Sequence, residues 1–357
     1  MTRTVLIAGT EDSTGKTAIA LALAERAREA GLSVGYMKPK GTRLQSNVGK
    51  TIDEDPMLAR ELLDLDAEMH ELEPVVYSPT FVEEAIRGRE DPEELRETVR
   101  EHFEALSAEK DLMFVEGASS LDTGGIVELT DADLAELLDA RVLVVSPFSS
   151  AGDADEILGI ADRLGDRLLG VLFNAVPDSS FDSLTADVIP FLEGRGIAIY
   201  GALPRTQELA GVTVAELAEE LGADVLTNAP TDEFVERFLV GAMGGDSALR
   251  HFRRTRNAAL ITGGDRSDIQ TVALEASGVK CLVLTGGLRP SSAVIGTAEE
   301  KDVPIVVVQS DTLSTIDRAE DVVRRGRTRS AKTVERMGEL LAEHADSDAI
   351  IGVGSEE

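Results

Sequence analysis

Short apolar runs alternate with helix-forming stretches along the first two hundred residues. Strands are predicted at 3–8 (RTVLIA), 33–37 (SVGYM), 111–115 (DLMFV), 141–146 (RVLVVS), 168–173 (LLGVLF) and 197–201 (IAIYG). Helices are predicted between them at 16–30, 54–65, 91–108, 152–164 and 182–194. Strands that are apolar throughout are buried on both faces, and intervening helices supply the cover. The pattern therefore predicts an α/β fold with a doubly wound parallel sheet. Asp91-Pro92-Glu93-Glu94 marks one helix start, with Asp91 as N-cap, Pro92 at the first position and acids in the first turn.

A second alternation follows Leu203-Pro204-Arg205. Its strands are predicted at 223–226, 234–240, 258–262, 280–284 and 304–308, and its helices at 213–221, 246–254, 267–276, 291–300, 314–325 and 331–344. The domain boundary falls near 205–212. Within this half LITGGDRSD (260–268) is echoed by VLTGGLRPS (283–291), each a strand followed by Thr-Gly-Gly and a basic residue.

A chain of 357 residues with 43% hydrophobic content is long enough for two folded domains. No apolar run approaches the ~18 residues that cross a bilayer, and the N-terminus has no secretory pattern. The single Cys281 excludes an intrachain disulfide and reads as a buried structural thiol. A cytoplasmic location is expected. The net charge is −31, with 66 acidic residues against 35 basic ones, which disfavours binding to nucleic acid or to an acidic membrane. Only eight of the basic residues are Lys. An acidic, Lys-poor surface suits a halophile, whose salt screens charges beyond ~3 Å at 1 M; an acidic mesophilic protein is the alternative. Against that background Lys16, Lys38, Lys40 and Lys50 stand close together in the chain.

Lys16 lies in GTEDSTGKT (9–17), between the first strand and the first helix. Phosphate binding needs backbone N–H groups at a helix N-terminus, a Lys for the terminal phosphate and a hydroxyl for Mg²⁺. Gly15-Lys16-Thr17 meets those needs, although Gly9 sits one place early for the common G-x-x-x-x-G-K-[ST] spacing. The nucleotide-binding segment is predicted as Thr10, Glu11, Asp12, Ser13, Thr14, Gly15, Lys16, Thr17 and Ala18. Open α/β sheets bind ligands at the C-terminal ends of their strands. Strand two ends in Met37-Lys38-Pro39-Lys40 and strand three in Val115-Glu116-Gly117-Ala118. The cluster Asp53-Glu54-Asp55 either complements a helix N-terminus or serves a ligand. Asn174 ends another strand and either reads a base edge or caps a turn.

Together these residues resemble dethiobiotin synthetase and its relatives. That family carries GT-x-x-x-x-GKT, a Tyr-Lys-Pro strand end, an acidic Mg²⁺ ligand and Val-Glu-Gly-Ala. The matching residues here are Gly9-Thr10 to Gly15-Lys16-Thr17, Tyr36 to Pro39, Asp55, and Val115 to Ala118, with Asn174 and Leu203-Pro204 also similar. The resemblance covers about residues 1–205. It implies a P-loop NTPase fold that binds ATP, GTP not being excluded, with Thr17, Asp55 and Glu116 as Mg²⁺ ligands. It also implies Asn174 at the adenine, and Lys16 and Lys38 as the catalytic pair of any phosphoryl transfer. Two stretches depart from it: Glu-Gly-Ala continues as Ser119-Ser120, and KGTRLQSN (40–47) does not match the diamine-binding segment.

The second half resembles the DRTGG domain found beside such P-loop domains in long phosphotransacetylases. Asp265, Arg266, Thr285, Gly286 and Gly287 correspond to its naming residues and form a candidate ligand site. The two Gly-Gly turns either let backbone approach an anion or only permit tight βα turns. The expected domains are 1–207 (P-loop), 208–325 (DRTGG, smaller and α/β) and 326–357 (a C-terminal helix and tail). In such phosphotransacetylases the acetyl-transferring region follows, so this chain is not expected to carry that reaction by itself. The four His (70, 102, 251, 344) have no metal-ligand spacing. The expected function is a Mg-ATP-binding regulatory or sensor protein, with slow ATP hydrolysis, acting on acetyl-CoA metabolism through a protein partner. The alternative is an ATP-dependent ligase or kinase that activates a carboxylate or carbamate. The resemblance further implies a homodimer or higher homo-oligomer.

Overall fold

The computed structural model describes residues 2–41, 44–47, 50–241, 245–326 and 331–353, with backbone alone at 44–47, 50–52, 245–247 and 324–326. The chain forms two compact units. The first takes the residues up to Arg205 together with the C-terminal helices, and the second begins at Thr206.

The sheet of the first unit holds six strands: β1 (Arg3–Gly9), β2 (Val34–Met37), β3 (Leu112–Glu116), β4 (Arg141–Ser146), β5 (Leu168–Val176) and β6 (Ile199–Pro204). Their order is β6-β5-β4-β1-β3-β2, and every pairing is parallel. All six apolar runs of the sequence are therefore strands. Because β1 lies between β3 and β4, the chain reverses direction across the sheet at β1, which is where such sheets bind ligands. From β1 the backbone turns into helix α1 (Lys16–Glu29). This Ala-rich helix is buried continuously from Lys16 to Ala24. The C-terminal helix Ala331–His344 packs against α1 within this unit, burying Val334, Met337, Leu340 and Leu341. Small Ala side chains let α1 approach its neighbours closely, and they keep its helix propensity high.

Helices α2 (Glu54–Leu62) and α4 (Asp131–Leu137) bring carboxylates to the site, and α3 (Pro92–Ser107) packs against β2. Asp91 caps α3 as the sequence indicates, accepting from the amide of Glu93 at 2.9 Å. The helix expected at 182–194 is interrupted. It runs as Asp178–Ser183, then a π-helical turn Leu184–Val188, then Ile189–Glu193. Pro190 has no N–H to give to the carbonyl four residues back, and a widened turn accommodates that loss.

In the second unit, β7 (Asp224–Val225), β8 (Arg237–Val240), β9 (Ala258–Gly263), β10 (Val279–Thr285) and β11 (Ile305–Val307) form one sheet in the order β7-β11-β10-β9-β8. Only β7 is antiparallel. The run expected at 234–240 splits at Glu236: Phe234–Val235 pairs with Val212–Thr213, and β8 joins the main sheet. One face of this sheet packs Phe252, Leu260, Leu282 and Ile305, the other Leu217, Ile261, Cys281 and Val306. Cys281 is thus a core residue, and burial pushes its thiol up. The two echoing segments are neighbours, with Gly263 in register with Thr285. Among the described residues no helix is long and apolar enough to cross a membrane.

Leu6 sits fully buried in the central strand of the first sheet. Leu6→Ala is expected to lower stability by about 2–5 kcal/mol, read from the denaturant midpoint in molar salt. A loss under about 1 kcal/mol would contradict the assigned core.

Candidate functional site

The loop between β1 and α1 explains the early glycine. A Cβ at Gly9 would lie 2.6 Å from Thr14 Oγ1 and 2.8 Å from Lys16 Nζ, so the loop's own side chains take that space. Thr10 ties the loop to β4, its amide donating to Val145 O at 3.2 Å and its hydroxyl to Ser146 Oγ at 3.4 Å. Glu11, Asp12 and Ser13 are exposed at the crest, where Ser13 adopts a positive φ of 59° and its amide donates to Asp12 Oδ1 at 2.9 Å. Gly15 precedes α1 with φ 89°, a left-handed conformation that favours glycine. Lys16 is 6% exposed, and its ammonium donates to Glu11 O at 3.4 Å and Thr14 Oγ1 at 3.5 Å. Ala18 is buried in the first turn of α1. The start of a 14-residue helix and a lysine thus share one concave loop, the arrangement that attracts a phosphate.

Asn174 approaches this loop from β5. Its Nδ2 donates to Thr14 O at 2.8 Å and would lie 2.5 Å from a Cβ at Gly15. The amide therefore braces the loop, a contact between positions 160 residues apart.

Beneath the loop lies a buried charge cluster. Lys38 extends from the end of β2 and is 2% exposed. Its Nζ stands 2.8 Å from Asp53 Oδ2, donates to Asp55 Oδ2, and lies 3.7 Å from Glu116 Oε1. Glu116, at the end of β3, accepts from Thr17 Oγ1 at 2.8 Å and from Tyr36 OH at 2.7 Å. Of the two alternatives for 53–55 the helix N-terminus role is seen: Asp53 caps α2, accepting the amide of Asp55 at 3.0 Å, and the carboxylates of Asp53 and Asp55 also meet Lys38. Burial pulls the Lys38 ammonium down, but Asp55, Glu116 and Asp53 outweigh it and hold the group above the ordinary lysine range. Burial raises the Glu116 carboxyl, with Lys38 opposing. Burial and the neighbouring Glu116 also keep the Tyr36 phenol protonated far into the alkaline range. Thr17, Asp55 and Glu116 offer the oxygen donors that suit a divalent cation completing its shell with phosphate and water. Among the described residues no group of three His, Cys, Asp or Glu is arranged as a metal cage.

Three residues here belong to no motif of the sequence. Lys40 is fully buried, donating to Thr123 O at 2.7 Å, to Leu129 O, and to Asp131 Oδ1 at 3.2 Å. Burial pulls its ammonium below the ordinary lysine range, with Asp131 opposing. Asp131 also accepts the Ala118 amide at 3.2 Å, so the pair fastens the loop after β3 that carries Ser119-Ser120. Glu73 is 6% exposed behind Asp53, and its Oε1 has no hydrogen-bond partner. Burial first, and then Asp53, push its carboxyl up to about 8. Each residue's pattern is local and ordinary; only the fold brings the partners together. The side chain of Lys50 and parts of the 40–47 segment lie outside the described residues.

In the second unit, the amides of the Gly-Gly turns are already used. Gly264 donates to Thr285 O at 3.2 Å, Gly286 to Ser310 O at 2.9 Å and Gly287 to Val308 O at 2.9 Å. Arg266 pairs with Asp268 at 3.2 Å, and the Thr285 and Thr312 hydroxyls share a hydrogen bond of 2.7 Å. Asp265 Oδ1 would lie 2.5 Å from a Cβ at Gly263. Asp265 and Arg266 lie on the turn after β9, Gly286 and Gly287 on the turn after β10, and Thr285 ends β10 in register with Gly263, with the glycine amides serving the turns.

Residues 3–230 match the AAA domain family AAA_26, and residues 216–322 match the DRTGG domain. A phosphate acetyltransferase of Pseudomonas putida is 25% identical over 368 residues, covering 97% of this chain and 51% of that protein. The ATP-dependent dethiobiotin synthetase BioD of Methanocaldococcus jannaschii is 26% identical over 183 residues, covering 49% of this chain and 81% of that enzyme. The chain spans about half the length of the phosphate acetyltransferases it matches. Among solved structures, the CBS and DRTGG regulatory region of Clostridium perfringens pyrophosphatase, complexed with its activator diadenosine tetraphosphate, aligns over 52% of this chain and 73% of its own. The identity is 18% and the TM-score 0.28. A P-loop domain of dethiobiotin-synthetase type followed by a DRTGG domain is the composition that the motifs indicate.

Glu73 gives the site a measurable pH signature. Its folded pKa of about 8 exceeds the ~4.3 of an unfolded chain, so the folded protein holds the extra proton. That contribution to stability is complete below pH ~4 and fades as pH rises toward 8. Glu73→Gln is expected to flatten the stability profile between pH 5 and 8 and to raise stability at pH 8 relative to wild type. Parallel profiles would contradict this placement of the carboxyl.

Proposed function

This chain belongs to the AAA domain family AAA_26 and carries a DRTGG domain after it, and on that footing we propose that it is a Mg-ATP-binding regulatory protein. The carrying observation is the loop of residues 10–18 at the reversal point of the sheet, with Lys16 in its concavity and Thr17 bonded to Glu116 beneath it. In this reading the backbone from Glu11 to Ala18 and Lys16 receive the phosphates. Thr17, Asp55 and Glu116 hold Mg²⁺, which supplies charge neutralisation for the phosphates. Asn174 keeps the loop in shape beside the base. A P-loop is chiefly a positioning and electrostatic device, so binding with slow turnover is physically consistent. The DRTGG unit, with the turns at Asp265-Arg266 and Thr285-Gly286-Gly287, senses a second ligand. The output reaches acetyl-CoA metabolism through a protein partner or a second copy of the chain. The acidic surface suits a high-salt cytoplasm.

Wild type is expected to bind Mg-ATP in molar salt by equilibrium titration. Lys16→Ala should weaken that binding about 100-fold, or about 2.7 kcal/mol. Equal affinities for the two proteins would overturn the assignment.

A second reading is favoured by the synthetase similarity over the first half and by Lys38 at the adjoining strand end. Here the chain is an ATP-dependent ligase or kinase that activates a carboxylate or carbamate, with Lys16 and Lys38 steadying the transferred charge. It requires phosphate release that rises at least about tenfold with one member of a panel of small acids and amines. A flat panel would leave the regulatory reading.

A further inference from the structure

Lys38 occupies an unusual place for a residue at the rim of a phosphate site. Its ammonium is surrounded by Asp53, Asp55 and Glu116, and only 2% of the side chain is exposed. Two of those carboxylates belong to the set assigned above to a divalent cation, and Thr17 donates to one of them. A hard, compact cation is what this group of oxygens requires, and the lysine supplies one. Asp53 lies outside that set, and its oxygen is fixed by capping α2.

We infer that Lys38 is an internal cation that closes the divalent-cation site until a metal nucleotide displaces it. The inference rests on the nucleotide-binding reading and deepens it. In the metal-free protein, Lys38 neutralises carboxylates whose mutual repulsion in a buried place would otherwise oppose folding. A metal ion arriving alone must compete with an ammonium tethered at the site. A metal arriving with a nucleotide brings phosphates that give the released ammonium a new anionic partner, while Asp53 remains within its reach. Metal and nucleotide therefore bind with positive coupling, and Lys38 is the origin of that coupling. No bond is made or broken; the step is an exchange of one cation for another.

The test uses the full-length chain and Mn²⁺ as probe, with free Mn²⁺ read by electron paramagnetic resonance. Wild type is expected to bind Mn²⁺ weakly alone and at least about tenfold more tightly with ATP present. Lys38→Met should bind Mn²⁺ alone at least about tenfold more tightly than wild type and lose most of the enhancement by ATP. Lys38→Arg, which keeps the charge, should resemble wild type. Removing the cation endangers the fold, so Lys38→Met/Asp53→Asn, with one carboxylate fewer, is measured alongside and should also bind Mn²⁺ alone more tightly than wild type. Lys38→Met that folds only on addition of Mn²⁺ would support the exchange. Equal Mn²⁺ affinities in wild type and the folded variant of the two would overturn it. Wild type that binds neither ATP nor Mn-ATP would instead overturn the nucleotide reading itself, so the two failures are distinguishable.

Discussion

An ammonium buried among carboxylates is tenable only when each charge finds a partner, and the first unit is organised around one such group. Lys38 comes from β2, Asp53 and Asp55 from the start of α2, and Glu116 from β3. Thr17 of α1 and Tyr36 of β2 then satisfy the two oxygens of Glu116. Four elements therefore end where they do in relation to a single positive charge. Removing that charge would take from three buried carboxylates the ammonium they share, which is why the cluster constrains both the fold and whatever enters the site.

The loop above depends on space as much as on charge. Gly9 is small because Thr14 and Lys16 fold back across it, and Gly15 is a glycine because its backbone is left-handed and Asn174 presses against it. In a chain of net charge −31, this concavity gathers positive character from Lys16 and from a helix N-terminus. The displaced glycine of GTEDSTGKT is thus a packing consequence of this variant of the loop. The second unit uses its Gly-Gly turns differently: their amides close onto the neighbouring strand ends.

Much of this architecture is legible locally. Continuous apolar runs such as RTVLIA and LMFV become buried parallel strands, and Asp91-Pro92 starts a helix, because those signals act over a few residues. The P-loop and the strand-end Lys38 and Glu116 were legible through motif and position. The partners of Lys40 and the burial of Glu73 were not, since Asp131 lies 91 residues from Lys40 and nothing near Glu73 marks it as interior. The return of the C-terminal helix to α1 likewise depends on an Ala-rich face and a face of Val334, Met337, Leu340 and Leu341 far apart in sequence. Asp53 shows the limit most clearly. An acidic cluster at a helix start is visible in sequence, whereas the pairing of Asp53 with Lys38 requires β2 and α2 to meet.

The most direct measurement is a crystal structure of the protein with Mg²⁺ and a non-hydrolysable ATP analogue. Phosphates seated on the amides of residues 11–18, Mg²⁺ held by Thr17, Asp55 and Glu116, and Lys38 withdrawn from Asp55 and Glu116 are the expected result. A nucleotide bound elsewhere, or bound in this loop with Lys38 still seated between those two carboxylates, would contradict it.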